Sequence, residues 1–143
     1  MSATQLRPGL ELGPSSWIDV PQERIDTFAE AIDDRGSIHV DEELAASGPY
    51  GTTVAHGFLT LSLLPAACDE VMPLDTTIAV VYGLNRVRFP APVFAGSRVR
   101  ARFRIDEIAP AGGGVQVTMT ATVECEGGEK PVCVAELIFR YVR

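Results

Sequence analysis

Imidazole is scarce in this chain. Only two of its 143 residues are histidine, His39 and His56, so any acid–base role for that ring has two candidates. Cys68, Cys125 and Cys133 are an odd set without metal-ligand spacing, and read as reduced packing residues of a cytoplasmic protein. Basic charge is outweighed: 12 Lys and Arg stand against 19 Asp and Glu, a formal net charge of -7. That balance argues against a nucleic-acid or membrane-surface partner, and any polyanionic ligand needs a local basic patch. The N-terminus, "MSATQLRPGLELG", lacks the apolar run of a signal peptide. The longest apolar-rich stretch, "GFLTLSLLPAAC", is too short to span a bilayer and contains Pro65. No internal repeat is present.

What remains is an ordinary globular composition, 46% hydrophobic and 22% charged, in a length that fits one domain with a real core. Residues 1–16 carry Gly9, Gly13 and Pro14 and read as an N-terminal arm, leaving residues 17–143 as the domain. After Pro21, the residues Ile25, Phe28, Ala29 and Ile32 recur at helical spacing, which predicts a helix ending near Asp33. Asp41 is placed to cap a second short helix, "EELAAS", closed by Gly48. "FLTLSLLPAACDEV" is apolar on nearly all sides, the mark of a buried helix, with Pro65 predicting a kink or break.

From Thr76 the period changes to two. "TIAVVYG" and "NRVRFP" predict a strand or a broken pair. "SRVRARFRID" sets Val99, Ala101, Phe103 and Ile105 against four arginines, and "GVQVTMTATVEC" alternates in the same way. "PVCVAELIFRYV" is a last strand. Gly112-Gly113-Gly114 and Gly127-Gly128 serve as hairpin loops. Helices followed by a long antiparallel sheet make an α+β pattern, with the sheet wrapped around the one buried helix.

Two places carry chemistry. "DDRGSIHVD", residues 33–41, interrupts the first helix pattern and puts Asp34 five residues before His39. A turn folding back can bring the two side chains together, and a carboxylate beside an imidazole activates water. The other reading makes Asp34 a cap of backbone N–H groups and His39 a half-buried turn residue. The second place is "TTVAHGF", where His56-Gly57 stand at the start of the buried helix. N–H groups there lack intrahelical partners, the helix dipole is positive, and Gly57 lets a ligand approach the backbone. Such a site polarises a carbonyl. Equally, Gly57 relieves crowding at the helix start. The spacing of His39, His56 and the aspartates does not favour a metal. Arg98, Arg100, Arg102 and Arg104 share one strand face, either toward the phosphates of coenzyme A or as a solvated face paired with Glu124, Glu126 and neighbouring acids.

Taken together, "DRGSIH", "VDEELAASGPYGTTVAHGFLTLSL" and "YGLNRVRFPAPVFAGSRV" resemble the MaoC-like hotdog-fold family, the (R)-specific enoyl-CoA hydratases, and within it the single-hotdog actinobacterial type. The resemblance covers most of the chain. It implies a five- or six-stranded antiparallel sheet around a central helix and a homodimer paired edge to edge. It further implies hydration of trans-2-enoyl-CoA to the (R)-3-hydroxyacyl-CoA, with no cofactor beyond the coenzyme A of the substrate. Asp34 and His39 match the family's water-activating pair. Gly57 matches the glycine whose backbone N–H holds the thioester oxygen, with His56 beside it as a second candidate for binding the substrate there. The family's Asn-Pro is Gly36-Ser37 here, and Asp33 adjoins Asp34. Two alternatives remain at this stage. A non-catalytic hotdog subunit would bind acyl-CoA or support a partner. A hotdog thioesterase is disfavoured, because the central helix offers no acid before Asp69.

Overall fold

A computed structural model describes residues 1–75 and 78–142. Thr76 and Thr77, at the expected start of the first long strand, and Arg143 lie outside the described residues. Four long strands carry the architecture: β3 (Ile78–Arg88), β4 (Ser97–Ala111), β5 (Gly114–Cys125) and β6 (Cys133–Val142). Two short ones, β1 (Glu11–Leu12) and β2 (Ile18–Val20), both pair with β4. The sheet is antiparallel in the order β1-β4-β5-β6-β3. This is the hotdog arrangement that the sequence implied.

The alternation that marked β4 and β5 has its expected cause. Val99, Ala101, Phe103 and Ile105 are buried, as are Val117, Met119, Ala121 and Val123 opposite them. Their face closes over the apolar stretch 57–71, which is two helices rather than one: α4 (Gly57–Ser62) and α5 (Leu64–Val71). The break falls at Leu63. Pro65 sits in the first turn of α5, where a missing N–H leaves no bond unmade. Leu64, Ala67, Cys68 and Met72 are buried against the sheet. Each large side chain so buried contributes about 1.5–3 kcal/mol. Phe58, in contrast, is 70% exposed, so the stretch is covered on one side only.

Residues 1–16, expected as an arm, lie along the sheet. Leu6 is buried, Glu11 and Leu12 pair with Arg104 and Phe103, and the Ser15 hydroxyl accepts the Ala101 N–H at 3.0 Å. Gly13 makes this approach possible. Its φ is 106°, and a Cβ there would lie 2.9 Å from the Ala101 carbonyl oxygen.

The outer arginines take the solvated-face role. Arg98 pairs with Glu126 at 2.5 Å, Arg100 with Glu124 at 2.5 Å, and Arg104 with Asp106 at 2.9 Å. The Arg100 guanidinium holds the Glu124 carboxyl below the usual carboxylate range.

Candidate active site

The site begins where α1 (Gln22–Ile32) ends. Asp33 takes a left-handed conformation with φ 59°. Its N–H reaches the Glu30 carbonyl at 3.4 Å, and the Asp34 N–H reaches that of Ala29 at 3.0 Å. This double closure caps the helix and turns the chain sharply, and aspartate tolerates the conformation better than most residues. Arg35 folds back over the cap, 2.6 Å from Glu30 and 3.0 Å from Asp33. Its guanidinium holds the Glu30 carboxyl below its usual range. Asp33 is thereby paired with Arg35.

Asp34, the next residue, has a half-exposed side chain. Its Oδ1 accepts the Gly36 N–H at 3.3 Å, so it does cap one backbone group, while its Oδ2 stands 3.9 Å from His56 Nε2. The chain then enters a single turn, α2 (Ser37–Val40), which carries His39. His39 Nδ1 lies 2.7 Å from the Val54 carbonyl oxygen. A carbonyl only accepts, so in the neutral ring Nδ1 holds the proton and the lone pair is on Nε2.

His56 precedes α4 and is 2% exposed. Its Nε2–H donates to the Asp34 backbone carbonyl at 2.9 Å. Its ring is stacked on that of His39, centroids 3.8 Å apart, and meets the Phe28 ring at its edge. The buried Nδ1 has no hydrogen-bond partner among the described residues. The side chain of His56 thus lies beneath the Asp34–His39 pair rather than along the cleft that Gly57 faces.

That cleft, about 340 Å³, is lined by His39, Gly57, Thr60, Ile38, Tyr50 and Phe89, among others. Gly57 is the first residue of α4, so its N–H has no acceptor within the helix. A Cβ on Gly57 would stand 3.1 Å from the Phe89 ring, so the glycine also makes room for that ring. One ligand atom each from Asp34, His39 and His56 lies within 4.8 Å of the others. This donor set does not fit a tetrahedral ion. The two imidazoles are stacked with planes only 21° apart, so in-plane lone pairs on the two rings run side by side rather than toward one ion.

Asp34, His39 and Gly57 therefore meet around one end of α4. Tyr82 and Ser62 do not join them: Tyr82 stacks under the Arg140 guanidinium at 3.5 Å, and the Ser62 hydroxyl donates to the Leu59 carbonyl at 2.7 Å. Two residues with no mark in the sequence do join. Gln22 Nε2 donates to the His39 carbonyl oxygen at 2.7 Å, and its Oε1 accepts from the buried Thr53 hydroxyl.

Residues 3–127 match the family model described as MaoC like domain. The chain belongs to the MaoC-like dehydratase family. It is 51% identical over 136 residues to a Mycobacterium tuberculosis protein named 3-hydroxyacyl-thioester dehydratase Z, covering 94% of this chain and 90% of that protein. The (R)-hydratase of A. caviae involved in PHA biosynthesis has the same fold, with a TM-score of 0.80 at 21% identity over 96% of this chain and 98% of that one. The C-terminally truncated HadBC complex of Mycobacterium tuberculosis, a 3R-hydroxyacyl-ACP dehydratase, superposes with a TM-score of 0.74. It is 25% identical over 93% of this chain and 96% of that one. No helix among the described residues of this MaoC-like chain is long and apolar enough to cross a membrane.

Proposed function

We propose that this MaoC-like protein adds water to a trans-2-enoyl-CoA to give the (R)-3-hydroxyacyl-CoA, and catalyses the reverse dehydration. The observation that carries this reading is the grouping of a half-exposed carboxylate, Asp34, within 4.8 Å of the His39 imidazole, which itself lines the same cleft as Gly57 at the start of α4. The thioester oxygen accepts the Gly57 N–H, which draws electron density toward the carbonyl and makes the β carbon electrophilic. His39 Nε2 and the Asp34 carboxylate hold one water. As its oxygen bonds to the β carbon, Asp34 takes one proton from the water, the carbon–carbon double bond opens to an enolate held at the Gly57 N–H, and Asp34 passes that proton to the α carbon and is again a carboxylate. Acid–base help of this kind contributes about 10²–10⁴-fold. Coenzyme A enters as part of the substrate, and the steps need no further cofactor.

The acyl group has an apolar route. Ile38 and Tyr50 are shared between this cleft and a neighbouring one of about 190 Å³ that Leu44, Ala45 and Pro49 also line. The same reading pairs two copies through β3. That strand bonds to β6 on one side only, and Ile78, Val80, Val81, Tyr82 and Leu84 along it are exposed. An edge of that length and apolarity is a liability unless another strand covers it.

The test mixes purified protein with crotonyl-CoA and follows the ultraviolet absorbance of the conjugated thioester beside a thiol reagent, repeated with longer acyl chains. Loss of absorbance without free thiol supports hydration. Release of thiol means a thioesterase. Neither change at any chain length means a binding subunit.

A further inference from the structure

We propose that Gln22 is a positioning residue that fixes the tautomer and aim of His39; this rests on the hydratase reading given above. Gln22 is the first residue of α1, seventeen residues before the histidine, and is not itself among the residues that line the cleft. Its carboxamide is nevertheless fully engaged. Nε2 donates to the His39 carbonyl oxygen at 2.7 Å and to Asp26 Oδ1 at 2.8 Å, and Oε1 accepts from the Thr53 hydroxyl. Two acceptors on one side and a hydroxyl on the other leave a single orientation of the amide that satisfies every atom.

What this bracket joins decides its role. One end is the turn that carries His39. The other is Thr53, which is 1% exposed and directly precedes Val54, whose carbonyl receives the His39 Nδ1–H. The two segments are tied once more by the Val54 N–H, which donates to the Ile38 carbonyl at 2.9 Å. Gln22 thus sets the distance between His39 and the one acceptor that selects its tautomer. The turn itself supplies little stiffness. It is a single helical turn preceded by Gly36, and no side chain caps its start. With Gln22 removed, the ring is free to leave Val54, the proton is free to sit on Nε2, and that nitrogen then donates where the reaction needs an acceptor. Small displacements of an acid–base group have a large effect on rate.

The experiment uses Gln22→Glu, which keeps size and the Thr53 partner but cannot donate to the His39 carbonyl, and Gln22→Leu, which removes the bracket. Both are made in the parent protein and in the His39→Gln background. Two readouts are taken on folded protein. The first is ¹⁵N–¹H long-range correlation of the imidazoles, simple to assign because the chain has two histidines and one is absent from the His39→Gln variant. The second is the steady-state rate on crotonyl-CoA. The expected result is one His39 tautomer, Nδ1–H, in the parent and a mixture in both Gln22 variants. It includes a fall in kcat of about 10²-fold, with KM little changed and no further loss in the His39→Gln background. An unchanged His39 spectrum in folded Gln22 variants overturns the proposal, as does a rate loss that persists in full without the imidazole. If the parent itself hydrates no enoyl thioester, the hydratase reading fails, while the tautomer arm still decides whether Gln22 holds the ring.

Discussion

The rings of His39 and His56 lie one on the other, centroids 3.8 Å apart and planes 21° from parallel. The lower ring is buried, donates to the main chain of Asp34, and leaves Nδ1 without a partner among the described residues. His56 therefore touches both members of the candidate pair at once, one through its face and one through its edge.

That arrangement separates stability from activity at position 56. His56→Phe keeps a flat ring beneath His39 and removes the unpartnered Nδ1, but it loses the N–H that holds the Asp34 carbonyl. Thermal melting should place the variant within about 1 kcal/mol of the parent, because an unsatisfied buried group is lost together with one hydrogen bond. Turnover should fall by about 10²-fold as the Asp34 main chain loses its anchor and the carboxylate shifts with it. A variant as active as the parent makes His56 a packing residue only.

Gly57 has two demands on it, and a second substitution tells them apart. Gly57→Ala pushes a Cβ to within 3.1 Å of the Phe89 ring and also adds bulk beside the helix-start N–H of a residue that lines the cleft. Phe89→Leu makes room for the Cβ. If Gly57 serves the thioester oxygen, the double variant regains its melting temperature but not its turnover, which stays down by about 10²–10³-fold, the scale of one oxyanion donor. If turnover returns with stability, the glycine is there for Phe89.

Gly36 precedes the turn that carries His39, and its conformation does not require glycine. Its φ is -56°, and a Cβ would meet Asp34 Oδ1 and His39 Cδ2 at 3.5 Å, ordinary contact for both. Gly36→Ala should raise stability by about 0.4–1 kcal/mol by narrowing the unfolded ensemble, with turnover close to that of the parent. Chemical denaturation checks the sign. A loss of stability means that the turn moves through conformations closed to alanine.

Much of this architecture was written in periodicity. β4 and β5 alternate because one of their faces is buried, and α1 shows its stripe because Ile25 and Ala29 face the core. β3 was harder to delimit. In the single chain neither of its faces is buried, and its pairing with β6 shifts register after Val81 and again after Leu84, so no simple period survives. Residues 1–16 read as an arm because backbone hydrogen bonds and Leu6 hold them, with no repeating stripe to reveal it. Asp34, His39 and Gly57 stand out in the sequence by residue type and order, and the fold brings them near one end of α4. Gln22 and Thr53 do not stand out: they meet across 31 residues, and a hydrogen bond of that span leaves no local mark.

The uncovered edge of β3 yields a prediction about mass. Light scattering at micromolar concentration should give twice the 15.3 kDa of one chain. Val80→Lys with Val81→Lys, which put charge on the exposed edge, should shift the protein toward monomer and lower activity with it. A parent protein that scatters as a monomer contradicts the edge-to-edge pairing.

If Asp34 and His39 act on one water, a double-mutant cycle on enoyl-CoA hydration reveals it. Asp34→Asn keeps the shape and the bond to the Gly36 N–H while removing the base, and His39→Gln keeps hydrogen bonding without an imidazole. With circular dichroism showing all three variants folded, each single variant should lose about 10²-fold or more in turnover. Because both groups serve one transition state, the double variant should be little worse than the poorer single one. Either single variant retaining the parent rate, or a double loss equal to the product of the two single losses, contradicts the account.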